Sequence, residues 1–188
     1  MLEHAEWDWF IGTLCRAGDP DRAPKFARVL ERLSARGAMA DMEDGPEQQP
    51  LPAPDVQRQV RVLLPGIHFD LLLTHGPLGE YTWHRRHVEV CQAVVALWRA
   101  GRISADALWL FAYEDGGGQY LPRAVRNAHL HHLLPPEVWR TKFDLVTQVY
   151  GFRPESWEAR TTPRAEALWC FESPRRLDLW LREEGLRL

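Results

Sequence analysis

Three histidines and one glutamate stand close together in the stretch Thr74-His75-Gly76-Pro77-Leu78-Gly79-Glu80-Tyr81-Thr82-Trp83-His84-Arg85-Arg86-His87. An imidazole can ligate a divalent metal through a ring nitrogen, or polarise a carbonyl near neutral pH. His84 and His87 are three residues apart, and in a helix that spacing puts both side chains on one face. Gly76-Pro77 and Gly79 let the backbone turn sharply ahead of them. The same pattern also fits plain surface histidines at a helix start, so spacing alone does not choose between the readings.

The elements around the cluster add weight. Phe69 to Thr74 is a short apolar run and reads as a buried strand, while Arg85 to Ala100 reads as a long, mostly apolar helix ended by Gly101. The histidines therefore occupy a loop that follows a strand and opens a helix. Trp9 to Cys15 reads as an earlier buried strand. Pro24 suits the first turn of a helix that carries Phe26, Val29, Leu30 and Leu33, with Gly37 as its stop. Residues 38 to 54 are rich in Pro, Asp, Glu and Gln and read as a loop. A second helix from Pro54 carries Val56, Val60, Leu63 and Leu64 and stops at Pro65. Ala107 to Tyr113 reads as a third strand, followed by an acidic, glycine-rich loop from Glu114 to Gln119. Pro135 to Tyr150 reads as a helix ending at Gly151. Ser173 caps a last helix through Glu184, with Leu177, Trp180 and Leu181 on one face.

This alternation predicts an α/β fold with a mostly parallel sheet covered on both faces. In such sheets the working site lies beyond the carboxyl ends of the strands. The segments to search follow Cys15, Thr74 and Tyr113.

Composition narrows the function classes. The 188 residues carry a net charge of −3, with 45% hydrophobic and 26% charged residues, which suits one globular domain. There is no concentrated basic footprint for nucleic acid. Glu3, Glu6 and Asp8 rule the first residues out as a signal peptide. The longest apolar run, Ala107 to Tyr113, falls far short of the roughly 20 residues a membrane helix needs. Cys15, Cys91 and Cys170 are scattered, which suggests neither a disulfide framework nor a zinc knuckle. A soluble cytoplasmic protein is expected.

The stretch from Phe69 to Val95 resembles the second motif of the PIG-L/LmbE-like deacetylases: a strand ending in Thr-His, then Gly-Glu-Tyr, then His-x-x-His opening a helix. The resemblance implies a Rossmann-like three-layer α/β sandwich over residues 1–188, a zinc-type metal, and removal of an acetyl group from an N-acetylated sugar or glycan precursor. It implies that His87 binds the metal and that His84 acts on the reacting carbonyl or the departing amine. His75, Glu80 and Tyr81 would then face the substrate. The family usually has Pro-Asp between the two histidines, where this sequence has Arg85-Arg86.

The resemblance also implies a first motif, His-Pro-Asp-Asp or a close variant, supplying further metal ligands and a general base. No such segment is present, and His4-Ala5-Glu6-Trp7 does not fit it. Leu2 to Glu6 is expected to be the tail of a helix. The first strand, the first motif and most of that helix are expected upstream of Met1, so that the domain is incomplete at its N-terminus. A relative that has lost catalysis and serves as a binding or accessory protein is the alternative. A site built from His75, His84 and His87 with Glu80 as base is a third. A sheet lacking a strand exposes an edge, which favours association into an oligomer.

Other residues carry weaker expectations. Arg16 and Asp19 follow the first strand and could hold a sugar hydroxyl, or form a loop salt bridge. Asp44 lies in a segment, Asp41 to Gly45, that resembles an acidic loop near the substrate in the family. Tyr81 and Trp83 could stack on a sugar, although such rings more often pack. The loop with Gly116 to Gly118 lacks the Lys and Ser/Thr of a phosphate-binding loop. His129, His131 and His132 have no matching carboxylate nearby and read as surface or packing residues. Glu166 is expected to orient the C-terminal segment.

Overall fold

The computed structural model describes residues 1–79, 81 and 83–188. The chain divides into two compact units: residues 1–47 with 133–164, and residues 48–132 with 165–188.

In the first unit, β1 (Phe10–Cys15) pairs in parallel with β2 (Arg36–Met42), with Phe10 opposite Arg36 and Cys15 opposite Met42. The crossover between them is α1 (Arg22–Arg32), which buries Phe26. Gly37 does not stop this helix. Its backbone lies so close to β1 that a Cβ would stand 2.5 Å from the Ile11 carbonyl oxygen. The stop is Ser34, at φ +50, with the Ser34 N–H donating to Glu31 O and the Ala35 N–H to Leu30 O. That is a Schellman ending without glycine. β2 was expected to be loop; Gly37, Ala38 and Ala40 are too small to give an apolar run, and pairing with β1 supplies the strand. Leu2 to Glu6 forms turns rather than a helix tail, with the His4, Trp7 and Trp9 rings stacked in series. The expected helix from Pro135 to Tyr150 is α4 (Pro136–Asp144) followed by a π-helical turn, Leu145–Val149. A short α5 (Trp157–Arg160) follows, capped by the Ser156 side chain.

In the second unit, β3 (His68–Thr74) pairs in parallel with β4 (Ser104–Phe111), from His68 opposite Ser104 to Thr74 opposite Leu110. Two helices, α2 (Ala53–Leu63) and α3 (Arg85–Arg99), pack on each other. A small antiparallel ladder joins β5 (Tyr113–Glu114) to β6 (Arg123–Ala124). β7 (Leu130–Leu133) and β8 (Ala165–Phe171) complete a sheet of order β3-β4-β8-β7. β8 runs antiparallel to β4, so the expectation of parallel pairing holds for β3–β4 but not across the whole sheet. α6 (Pro174–Glu183) closes the unit, with the Ser173 hydroxyl accepting from the Arg176 N–H as expected.

The core of this unit joins Cys91 and Val95 of α3, Leu108 and Leu110 of β4, Phe171 of β8 and Leu177 of α6, each nearly or fully inaccessible to water. Burying such side chains stabilises by about 1.5–3 kcal/mol each. The buried face of α3 fixes the helix on the sheet, and with it the position of the histidines at its first turn. Among the described residues, no helix is long and apolar enough to cross a membrane.

Candidate functional site

β3 ends at Thr74, and His75 is the next residue. The chain then makes a tight turn in which the Gly79 N–H donates to Gly76 O at 3.1 Å. Gly76 is required here. A Cβ on it would stand 2.4 Å from the carbonyl oxygen of Phe111, at the end of β4, and 2.9 Å from that of Gly79. Gly79 and Tyr81 both adopt positive φ, +98° and +61°. His84 is the N-cap residue of α3 in extended backbone, and His87 lies in the first turn.

This path brings three rings together. His75 and His87 stack with centroids 4.0 Å apart and planes 3° from parallel, and His84 lies 4.6 Å from His87 at 42°. The His84 Nδ1 is enclosed and has no hydrogen-bond partner among the described residues. The Tyr81 ring lies 4.7 Å from that of Tyr113, whose hydroxyl makes a short hydrogen bond to Glu166 on β8. Glu80 lies outside the described residues.

A metal sits in the plane of each imidazole that binds it, along the nitrogen lone pair. Two parallel, stacked rings share no common plane, so one ion cannot serve both His75 and His87 until a ring turns. The His84 and His87 planes are inclined at 42° and carry no such restriction. A catalytic zinc normally holds three protein ligands and an open position. Among the described residues, no group of three or more His, Cys, Asp or Glu side chains is placed to hold a metal. These residues therefore do not by themselves complete a zinc site.

Arg86 is buried, 5% exposed. Its Nη1 donates to Glu89 Oε2 at 2.6 Å and its Nη2 to Gln49 O at 2.7 Å, while Glu89 Oε1 accepts from the Leu51 N–H at 3.0 Å. One of the two arginines between the histidines thus ties α3 to the segment before α2. Sequence reasoning assigned it no task, because a charged residue at a helix start gives no sign of burial. The partnership of Tyr113 with Glu166 was likewise invisible, since it depends on β8.

Arg16 and Asp44 meet in the first unit. Arg16 Nε donates to Asp44 Oδ2 at 3.2 Å and Nη2 to Asp44 O at 2.7 Å. Arg16 also lies 3.8 Å from Asp19. They line a cavity of about 520 Å³ with Arg22, Phe26 and Tyr150. Asp19 Oδ1 accepts from the N–H groups of Arg22 and Asp21, and these bonds, with Arg16 nearby, hold its carboxyl below the usual range.

Gly116 to Gly118 all take positive φ in a turn where Asp115 accepts from the Gly117 N–H. His129 packs edge-on against Trp169 and Phe171. Burial pushes the Cys91 thiol up to about 12, which makes it inert as a nucleophile.

No family model matches the chain, and no curated protein matches it. Among solved structures, the chain is similar to GalB, the 4-carboxy-2-hydroxymuconate hydratase from Pseudomonas putida. The TM-score is 0.58 at 14% identity, over 89% of this chain and 86% of that one. The likeness is one of fold.

Proposed function

We propose that this chain is an amide hydrolase of the PIG-L/LmbE deacetylase kind, acting on an N-acetylated sugar or related small molecule. The observation that supports it is the packing of His75, His84 and His87 where β3 ends and α3 begins, the place where parallel α/β units put their sites. The Rossmann-like three-layer arrangement belongs to the same proposal and is supported by the parallel pairs β1–β2 and β3–β4.

In this reading water adds to the acyl carbon, the C–N bond breaks, and acetate and a free amine leave. His84 hydrogen-bonds the carbonyl oxygen as negative charge develops on it, or protonates the departing nitrogen. Its Nδ1 has no hydrogen-bond partner among the described residues. His75 and Tyr81 border the substrate, with Glu80 as a further candidate for its polar groups. Zinc is the metal that the resemblance implies, with His87 as a ligand. The described residues do not by themselves supply three ligands for it.

The second reading is a binding or accessory protein that keeps the pocket without the chemistry. Amine release from N-acetylglucosamine, followed with fluorescamine alongside zinc content, separates the two. The hydrolase reading expects His84→Ala to slow release by about 10²–10⁴-fold, and His87→Ala to lose metal and activity together. Ligand binding without amine release, with or without added zinc, would establish the second reading instead.

A further inference from the structure

The adjacent arginines at the start of α3 are used differently. Arg86 is buried and held by Glu89 and Gln49. Arg85 has no carboxylate partner among the described residues, and its Nε is enclosed without a hydrogen bond. Its guanidinium lies 5.4 Å from the centre of the Trp83 ring. Trp83 is 60% exposed, and Leu78 in the same loop is 64% exposed. The expectation that Trp83 packs is therefore wrong: the indole is presented to solvent. An apolar ring and a cation thus lie side by side.

An indole beneath a guanidinium attracts it and restricts where it points. A planar guanidinium with no carboxylate partner among the described residues matches the paired oxygens of a carboxylate or phosphate. The positive end of α3 adds potential of the same sign. We propose that Arg85, backed by Trp83, makes this chain select acyl amines that also carry an anionic group, a carboxylate or a phosphate. The acyl-amine part rests on the hydrolase reading; the anion preference rests on Arg85 and Trp83.

The test is calorimetric titration of the full chain with N-acetylglucosamine, its 6-phosphate, and N-acetylmuramate. At low salt at least one anionic ligand should bind about tenfold or more tighter than the neutral sugar, with the preference shrinking as salt rises. Which of the two binds tighter identifies the anion. Arg85→Gln should bring the ratio of anionic to neutral affinity close to one. Arg85→Lys, which keeps the charge but not the fork, should retain part of the preference. Thermal melts by circular dichroism check that both variants fold. Equal affinity for neutral and anionic ligands, a preference that survives in Arg85→Gln, or no binding of any of the three would overturn the proposal. Amine release from the same ligands separates it from the hydrolase reading. Release with no anion preference sinks only this inference, whereas an Arg85-dependent preference without release sinks only the hydrolase reading.

Discussion

Two loops in this protein leave the carboxyl end of a parallel strand, and they treat their polar groups in opposite ways. After β1, Arg16 is bound by Asp44 and approached by Asp19, while the Asp19 and Asp41 carboxylates accept backbone N–H groups. Charge there is largely neutralised by near neighbours. After β3, the deep charge pair Arg86–Glu89 is directed inward, while the His84 Nδ1 and Arg85 Nε are left without partners among the described residues. Leaving enclosed polar atoms unsatisfied is destabilising unless something else binds them. The contrast points to the second loop as the place where chemistry or binding is expected, and to the first as a self-contained polar bracket.

The largest test of that contrast is the loss of an arginine on each side. Arg86→Ala strands Glu89 in a nearly dry setting and should cost about 3–5 kcal/mol. Arg16→Ala removes a half-exposed pair and should cost about 0–1 kcal/mol. Urea unfolding measures both, and equal losses would erase the distinction. Glycine substitutions give a smaller effect of the same shape. Gly76→Ala drives a Cβ into fixed carbonyl oxygens and should cost about 1–3 kcal/mol. Gly18→Ala meets only the end of the Asp41 side chain, which can swing away, so its midpoint should move less. The smallest effect concerns acid. Backbone N–H bonds from Arg22, then Asp21, hold the Asp19 pKa below its usual value. Its contribution is therefore present above the unfolded value and is lost as pH falls through the folded one. Asp19→Asn should lower the melting temperature slightly near neutrality and converge with the parent at the acid end of a pH series.

Much of the second unit was legible. The runs at β3 and β4, the glycine stop of α3 and the Ser173 cap each followed from local chemistry, and His84 and His87 come together as their spacing implied. What escaped depends on partners distant in sequence. β2 is a strand because β1 lies beside it, and β8 reverses direction because it closes the sheet against β4. Arg85 and Arg86 look alike in the sequence; only the positions of Gln49, Glu89 and Trp83 separate an anchor from a presented cation. The stacking of His75 on His87, which limits how they can share an ion, has no signature in spacing at all.

The anchor has a consequence for how the histidines come loose. Arg86 reaches the Gln49 carbonyl, and Glu89 takes the Leu51 amide, so the start of α3 and the strip ahead of α2 are laced by two charge-assisted bonds, with Arg86 and Glu89 paired to each other within the helix. Local opening of the histidine turn then has to carry residues 49–51 with it. In hydrogen exchange, the amides of Val88 and Leu51 should open as one cooperative unit, and a single protease cut near residue 50 should release the histidine turn long before the rest of the unit unravels.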